Sequence, residues 1–140
     1  MPRSDVSLKR AVLAVPGSRE KMISKARSID VDELFLDLED SVSPSEKSIA
    51  RSKVIEALLE GNFKSPVIAV RVNEQSSNVG VEDVSAIVLQ AGKSLNSLII
   101  PKVETADQVF DLDKRLSDLE QSANLTIRSI KIQIQIESAL

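Results

Sequence analysis

Neither cysteine nor histidine occurs in the 140 residues. The first absence excludes disulfides and thiolate metal sites. The second excludes Ser-His-Asp triads, imidazole acid–base chemistry and histidine-ligated zinc. Any metal must be held by oxygen, which points to a hard ion such as Mg2+. Tryptophan and tyrosine are missing and phenylalanine occurs three times. Stacking on nucleic-acid bases therefore has almost nothing to work with. No long run of one charge sign is present and the net charge is −3, which argues against a nucleic-acid or anionic-membrane partner. No apolar stretch is long enough to span a bilayer. The opening Met1-Pro2-Arg3-Ser4-Asp5 lacks a signal peptide's apolar core, so the expected location is the cytoplasm. What is there, 42% hydrophobic and 28% charged residues, suits one modest domain with a core of Ile, Leu and Val.

The chain is organised around Phe35-Leu36-Asp37-Leu38-Glu39-Asp40-Ser41-Val42. It begins as an apolar strand and ends in three acids. Strand alternation puts Asp37 and Glu39 on one face and Leu36 and Leu38 on the other. Two carboxylates on one buried face repel each other and are costly to desolvate. A cation, a metal or hydrogen-bond donors must compensate, unless the acids lie past the strand end in water.

Residues 1–9 read as a loose N-terminal arm. The pattern then predicts a strand over 11–15 and a helix to about Ser28, with Ser18 as N-cap and Glu20 in its first turn. Lys21 and Lys25 share one face of it. A second strand spans 33–38. Ser43-Pro44-Ser45 opens a helix from about Glu46 to Glu60, ended by Gly61. Pro66–Val72 is a third strand, followed by a loop through Gly80 and a helix over 81–91 closed by Gly92. Ser97–Pro101 is a fourth strand. Thr105 caps a helix to about Gln121, and an alternating fifth strand spans 128–136.

Strict strand–helix alternation means an α/β fold with a parallel sheet, either doubly wound or a (β/α)8 TIM barrel. Polar residues collect at successive strand ends: Asp37/Glu39/Asp40, Arg71/Asn73, Lys102/Glu104 and Glu137. In a barrel those ends form one ring, whereas a doubly wound sheet concentrates them at a switch point. A barrel takes about 250 residues. The expectation is therefore that residues 10–140 are the N-terminal part of a TIM-barrel domain, roughly half of it and up to five strands. The chain would be truncated, a fragment, or a half completed by other subunits.

Five motifs occur in order: Ala11-Val12-Leu13-Ala14-Val15-Pro16-Gly17-Ser18, Leu36-Asp37-Leu38-Glu39-Asp40-Ser41-Val42, Val70-Arg71-Val72-Asn73, Ile100-Pro101-Lys102-Val103-Glu104 and Ile136-Glu137-Ser138-Ala139. Together they resemble the citrate lyase beta-subunit family, which includes citryl-CoA, malyl-CoA and citramalyl-CoA lyases, within the HpcH/HpaI aldolase superfamily. The resemblance implies a TIM barrel. It also implies Mg2+-assisted cleavage or formation of a carbon–carbon bond in a short hydroxyacyl-CoA or an acyl-carrier-protein thioester, giving acetyl-CoA and a 2-oxo acid. It further implies a homo-oligomer, a trimer or larger.

By that resemblance Glu137 is the direct Mg2+ ligand, the alternative being a solvated acid. Arg71 grips the substrate carboxylate, the alternative being a structural ion pair with Asp37 or Glu39. Glu39 and Asp40 border the metal as catalytic-site acids, holding its waters or orienting Arg71 and Lys102, the alternative being a structural salt-bridge network. Lys102 and Glu104 match a strand-end motif able to pair with those acids. Lys21 and Lys25 match lysines that contact the CoA nucleotide in some relatives, with Arg19 as a helping cation nearby, the alternative being a solvated face. Pro16 and Gly17 shape the loop under the CoA arm. Relatives often carry an aromatic where Ala14 stands. The family's second Mg2+ ligand and a further catalytic aspartate fall beyond Leu140, so these residues alone are expected to bind Mg2+ weakly. Two other readings are carried: a class II aldolase acting on keto acids without CoA, and a non-catalytic truncated paralogue or assembly subunit.

Overall fold

The computed structural model describes residues 8–139. Five strands form one sheet: β1 (Val12–Pro16), β2 (Glu33–Asp37), β3 (Val67–Arg71), β4 (Ser97–Ile100) and β5 (Lys131–Ile134). Every neighbouring pair is parallel, and the spatial order is β1-β2-β3-β4-β5. Each new strand adds to the same edge. A doubly wound sheet reverses direction at its switch point; this one never does, so it is a barrel wall.

The helices α1 (Glu20–Ala26), α2 (Lys47–Glu60), α3 (Asn78–Ala91) and α4 (Ala106–Ser122) connect the strands. Alternate strand residues Leu34, Leu36, Ile68, Val70, Leu98 and Ile100 pack against Val54, Leu58, Ile87 and Leu116 in a single buried cluster. The intervening positions line the opposite, inner face. Register runs Pro16–Asp37–Arg71–Ile99–Gln133 along one line across all five strands. Period-two alternation thus sends aliphatic groups outward to the helices and polar groups inward. On the inner face Gln133 Nε2 donates to Ser97 Oγ at 2.7 Å and to Glu33 Oε1 at 3.0 Å. Lys9 Nζ is 2.7 Å from the same buried Glu33 carboxylate. Of the arm read over 1–9, residues 1–7 lie outside the described residues, and Lys9 is anchored rather than loose.

Three local expectations fail for identifiable reasons. Ser18 does not cap α1. Arg19 occupies that position with no side-chain cap bond, and Ser18 Oγ is buried without a partner. Gly17 pulls this turn onto β2: its N–H donates to Asp37 O at 2.8 Å, and a Cβ there would lie 2.7 Å from that oxygen. The fifth strand is shorter than its alternation suggests. Buried Glu120 takes the N–H groups of Arg128 and Ile130 at 2.6 and 2.8 Å, before pairing with β4 begins. Third, α3 begins at Asn78, not Val81, with Ser77 Oγ accepting from Gly80 N at 3.1 Å. Gly80 is no helix breaker; the loop packs too tightly for a side chain. A Cβ at Gly80 would lie 2.1 Å from Glu74 O and 2.5 Å from Asn73 O. Gly80→Ala is therefore expected to cost about 3 kcal/mol by overpacking, read as a lowered urea midpoint. Elsewhere the reading holds: Thr105 and Gln108 form a reciprocal capping box, and α2 ends at Gly61. Among the described residues no helix is long and apolar enough to cross a membrane.

Candidate functional site

The site grows from the C-terminal ends of β2, β3, β4 and β5. Asp37 closes β2 and is the register partner of Arg71 on β3. The guanidinium grips it in a fork: Nε to Oδ1 and Nη2 to Oδ2, both at 2.8 Å. Asp37 also accepts from Glu39 N at 2.9 Å, Ser41 N at 3.0 Å and Ser41 Oγ at 2.6 Å. Burial pushes the Asp37 proton affinity up, but these bonds, led by Arg71, outweigh it and bring the pKa down to about 2. The pair stays ionised until the pH falls toward 2. Arg71 also lies over the Phe35 ring, 5.5 Å from its centroid. Two of its three nitrogens are committed to Asp37; Nη1 makes no hydrogen bond among the described residues.

Glu39 follows in the turn after β2 and is 5% exposed. Its Oε1 is buried with no hydrogen-bond partner. Arg71 Nε and Lys102 Nζ each lie 3.8 Å from its carboxylate. Burial first, and then the charge of Asp40, raise the Glu39 pKa above the usual carboxylate value. Glu39, Asp40 and Glu137 bring one carboxylate oxygen each within 4.8 Å of one another. Lys102 completes the corner: its backbone is left-handed at φ 55 and its N–H donates to Glu137 Oε2 at 2.8 Å. Converging acids, one of them with an orphaned buried oxygen, form a set that a hard divalent cation would satisfy. The residues present fit Mg2+, with Glu39, Asp40 and Glu137 as the groups able to hold it.

The structure therefore brings Arg71, Glu39, Asp40, Glu137 and Lys102 together, with Asp37 beneath them. Pro16 shares their register line and Gly17 touches Asp37. Lys21 and Lys25 stay apart: both are exposed on α1, as is Arg19 before it, and no described bond links them to the acids. Glu104 is exposed and pairs with none of the cluster among the described residues. The sequence reading missed Lys47, Arg51 and Asp83. All three bond to the loops that carry the acids or to their supports. A lysine in the first turn of a helix, where the dipole disfavours a cation, was the available signal.

Comparison with known proteins identifies the family and the fold. The family model described as HpcH/HpaI aldolase/citrate lyase matches residues 10–140. The citrate lyase subunit beta of Haemophilus influenzae is 35% identical over 135 residues, covering 96% of this chain and 45% of that protein. An L-malyl-CoA/beta-methylmalyl-CoA lyase of Cereibacter sphaeroides is 34% identical over 130 residues, covering 93% of this chain and 41% of that one. The solved magnesium/glyoxylate complex of Haloferax volcanii malate synthase superposes with a TM-score of 0.86 at 22% identity, over 98% of this chain and 45% of that one. The chain thus spans somewhat less than half the length of the relatives it matches, and it reproduces the N-terminal half of their barrel. With a matching model over residues 10–140 and relatives at this identity, the chain belongs to the HpcH/HpaI aldolase/citrate lyase family.

Proposed function

We propose that this chain supplies the metal- and oxo-acid-binding wall of a carbon–carbon lyase acting on a short hydroxyacyl-CoA. Citryl-CoA, malyl-CoA and citramalyl-CoA are the candidate substrates, and acetyl-CoA plus a 2-oxo acid the products. The observation that carries the reading is the meeting of Glu39, Asp40 and Glu137 beside Arg71 at the strand ends. The two lyase relatives named above support the reaction class. In cleavage, the bond between the carbinol carbon and the thioester α-carbon breaks. Its electron pair passes into the thioester enolate. The hydroxyl becomes the oxo-acid carbonyl, and in net the hydroxyl proton ends on the enolate carbon. Arg71, already aligned by Asp37, offers Nη1 to the oxo-acid carboxylate; a planar fixed charge suits that task. Glu39, Asp40 and Glu137 would hold Mg2+, which supplies a Lewis acid for the charge developing on the carbinol oxygen. The flexible cations Lys21 and Lys25, with Arg19, are the candidates for the nucleotide phosphates of CoA, and Pro16 and Gly17 for the loop beneath its arm.

The test is direct. The complete barrel that contains this wall is incubated with Mg2+ and each of the three CoA esters, and acetyl-CoA release is followed. Release from one ester, abolished by chelator and weakened by Lys21→Glu through a raised KM, is the expected result. Mg2+ binding without release from any ester would sink the lyase reading. Cleavage of a free keto acid insensitive to Lys21→Glu would favour an aldolase that does not use CoA.

A further inference from the structure

Behind the acid cluster lies a set of interlinked polar side chains that the reaction chemistry leaves unexplained. Lys47 is the first residue of α2, so its ammonium faces the positive end of the helix dipole. Burial also lowers its proton affinity. Among the described residues it forms no ion pair with any carboxylate. It bonds instead to two carbonyls: Nζ donates to Leu38 O at 2.9 Å and to Glu39 O at 2.5 Å. Asn73 Nδ2 donates to the same Leu38 oxygen at 2.9 Å and to Asp83 Oδ2 at 2.7 Å. Asp83 is fully buried; it also accepts from Asn73 N at 2.9 Å and from Arg51 Nε at 2.7 Å. Two donors from different elements thus converge on the peptide units that carry Glu39 and Asp40.

A helix start needs no such lysine; Ser, Thr or Asp is the ordinary cap. What the position does need is a donor. Among the described residues the Glu39 carbonyl otherwise takes one bond, from Val42 N at 3.2 Å, and the Leu38 carbonyl one, from Asn73 Nδ2, so each keeps a second lone pair for the ammonium. An ammonium can serve both and places a positive charge behind mutually repelling acids. Asn73, fixed by Asp83 and Arg51, prevents the Leu38 carbonyl from rotating.

We propose that Lys47 and Asn73 are positioning residues for the cation site. By clamping the Leu38 and Glu39 carbonyls, they hold the Glu39 and Asp40 carboxylates at binding separation before an ion arrives. This rests on the reading of Glu39, Asp40 and Glu137 as a divalent-cation site. Preorganisation of this kind lowers the ordering cost that a flexible ligand loop would impose on ion binding.

The test compares Lys47→Met, Lys47→Arg and wild type, with Arg27→Met as a control for lost stability. Arg27 bonds to the carbonyls of Ala57 and Gly61, at the far end of α2. Two readouts are taken: Mg2+ affinity by calorimetry, and the carbonyl 13C shifts of labelled Leu38 and Glu39. Lys47→Met is expected to weaken Mg2+ binding about tenfold, the scale of lost ligand-orienting contacts, and to move both carbonyl resonances. Lys47→Arg, which keeps the donors, restores most of the affinity. Arg27→Met changes neither readout. Unchanged Mg2+ affinity in Lys47→Met overturns the proposal. If wild type binds no Mg2+, the cation-site reading fails by itself, and the clamp is judged by the shifts alone: unmoved resonances in Lys47→Met overturn it. Should Lys47→Met fail to fold, Asn73→Ala, which removes the other donor to the Leu38 carbonyl, is read the same way on Mg2+ affinity and on the Leu38 resonance.

Discussion

Replacing Arg71 with methionine is expected to destabilise the protein by about 3 kcal/mol and to abolish oxo-acid binding. The stability loss follows from what remains. Asp37 is 2% exposed and would keep three bonds from the following turn, yet its charge would lose the one cation that pairs with it among the described residues. Breaking a buried pair from one side leaves an uncompensated charge, which costs more than the pair contributed. The variant Arg71→Lys separates the two roles. It restores a charge and therefore part of the stability, but a single ammonium cannot hold Asp37 in a fork and still offer a free edge to a carboxylate. Chemical denaturation reads the first effect, and titration of oxaloacetate with Mg2+ present reads the second. Oxaloacetate binding to Arg71→Lys with wild-type affinity would reduce Arg71 to a structural partner of Asp37.

The same pair sets an acid limit. The folded-state pKa of Asp37 is about 2, against an ordinary value of 3.8. A depressed pKa contributes stability that is fully present above the unfolded value and is lost as pH falls through the folded one. The window is therefore from about pH 4 down to about pH 2, and the shift is worth about 2 kcal/mol. Asp37→Asn should remove that slope from the acid-denaturation profile.

Glu137→Gln is expected to weaken Mg2+ binding by about a hundredfold or more, beyond the range seen when only orienting partners are lost. It is the only member of the cluster contributed by the chain beyond β5, and the amide keeps its size while removing its charge. Calorimetry of Mg2+ with and without oxaloacetate checks the point. In wild type the keto acid should tighten binding; in Glu137→Gln both heats should vanish. The pH response runs the same way: because burial and Asp40 raise the Glu39 pKa, cation affinity should fall as pH drops through that raised value, earlier than for an ordinary carboxylate. Asp40→Asn should move this fall to lower pH. Equal Mg2+ affinity in wild type and Glu137→Gln would place the ion elsewhere.

Much of this was legible in the sequence because period-two strands and glycine- or threonine-marked helix ends are local signals. The alternation of Leu34, Leu36 and Leu38 against Asp37 and Glu39 led directly to a polar inner face, and polar residues at successive strand ends led to a barrel. What was not legible depended on contacts far apart in sequence. Gly80 looked like a loop residue because nothing nearby reveals that Asn73 O and Glu74 O press against it. The start of β5 was hidden because Glu120, on the preceding helix, takes the amides that the alternation assigned to the strand. Lys47 drew no reading from the sequence because its acceptors are the main chain of a different turn. Side chains that bond to backbone leave no charge pattern to read.

The inner-face contacts between β2 and β5 have a mechanical meaning. These strands are not neighbours; β3 and β4 separate them. Three interstrand spacings in a flat sheet amount to roughly 14 Å. Yet Gln133 reaches Glu33 at 3.0 Å, and the Glu137 carboxylate comes within 4.8 Å of Glu39 and Asp40. Both are chords across an arc and exist only while the wall is curled. An ion captured by the three acids would shorten and stiffen the upper chord, so its affinity would rise and fall with the curvature of the sheet. An ion held there would then act as a strain gauge for barrel closure, and anything that flattens the wall should release it before it melts a helix.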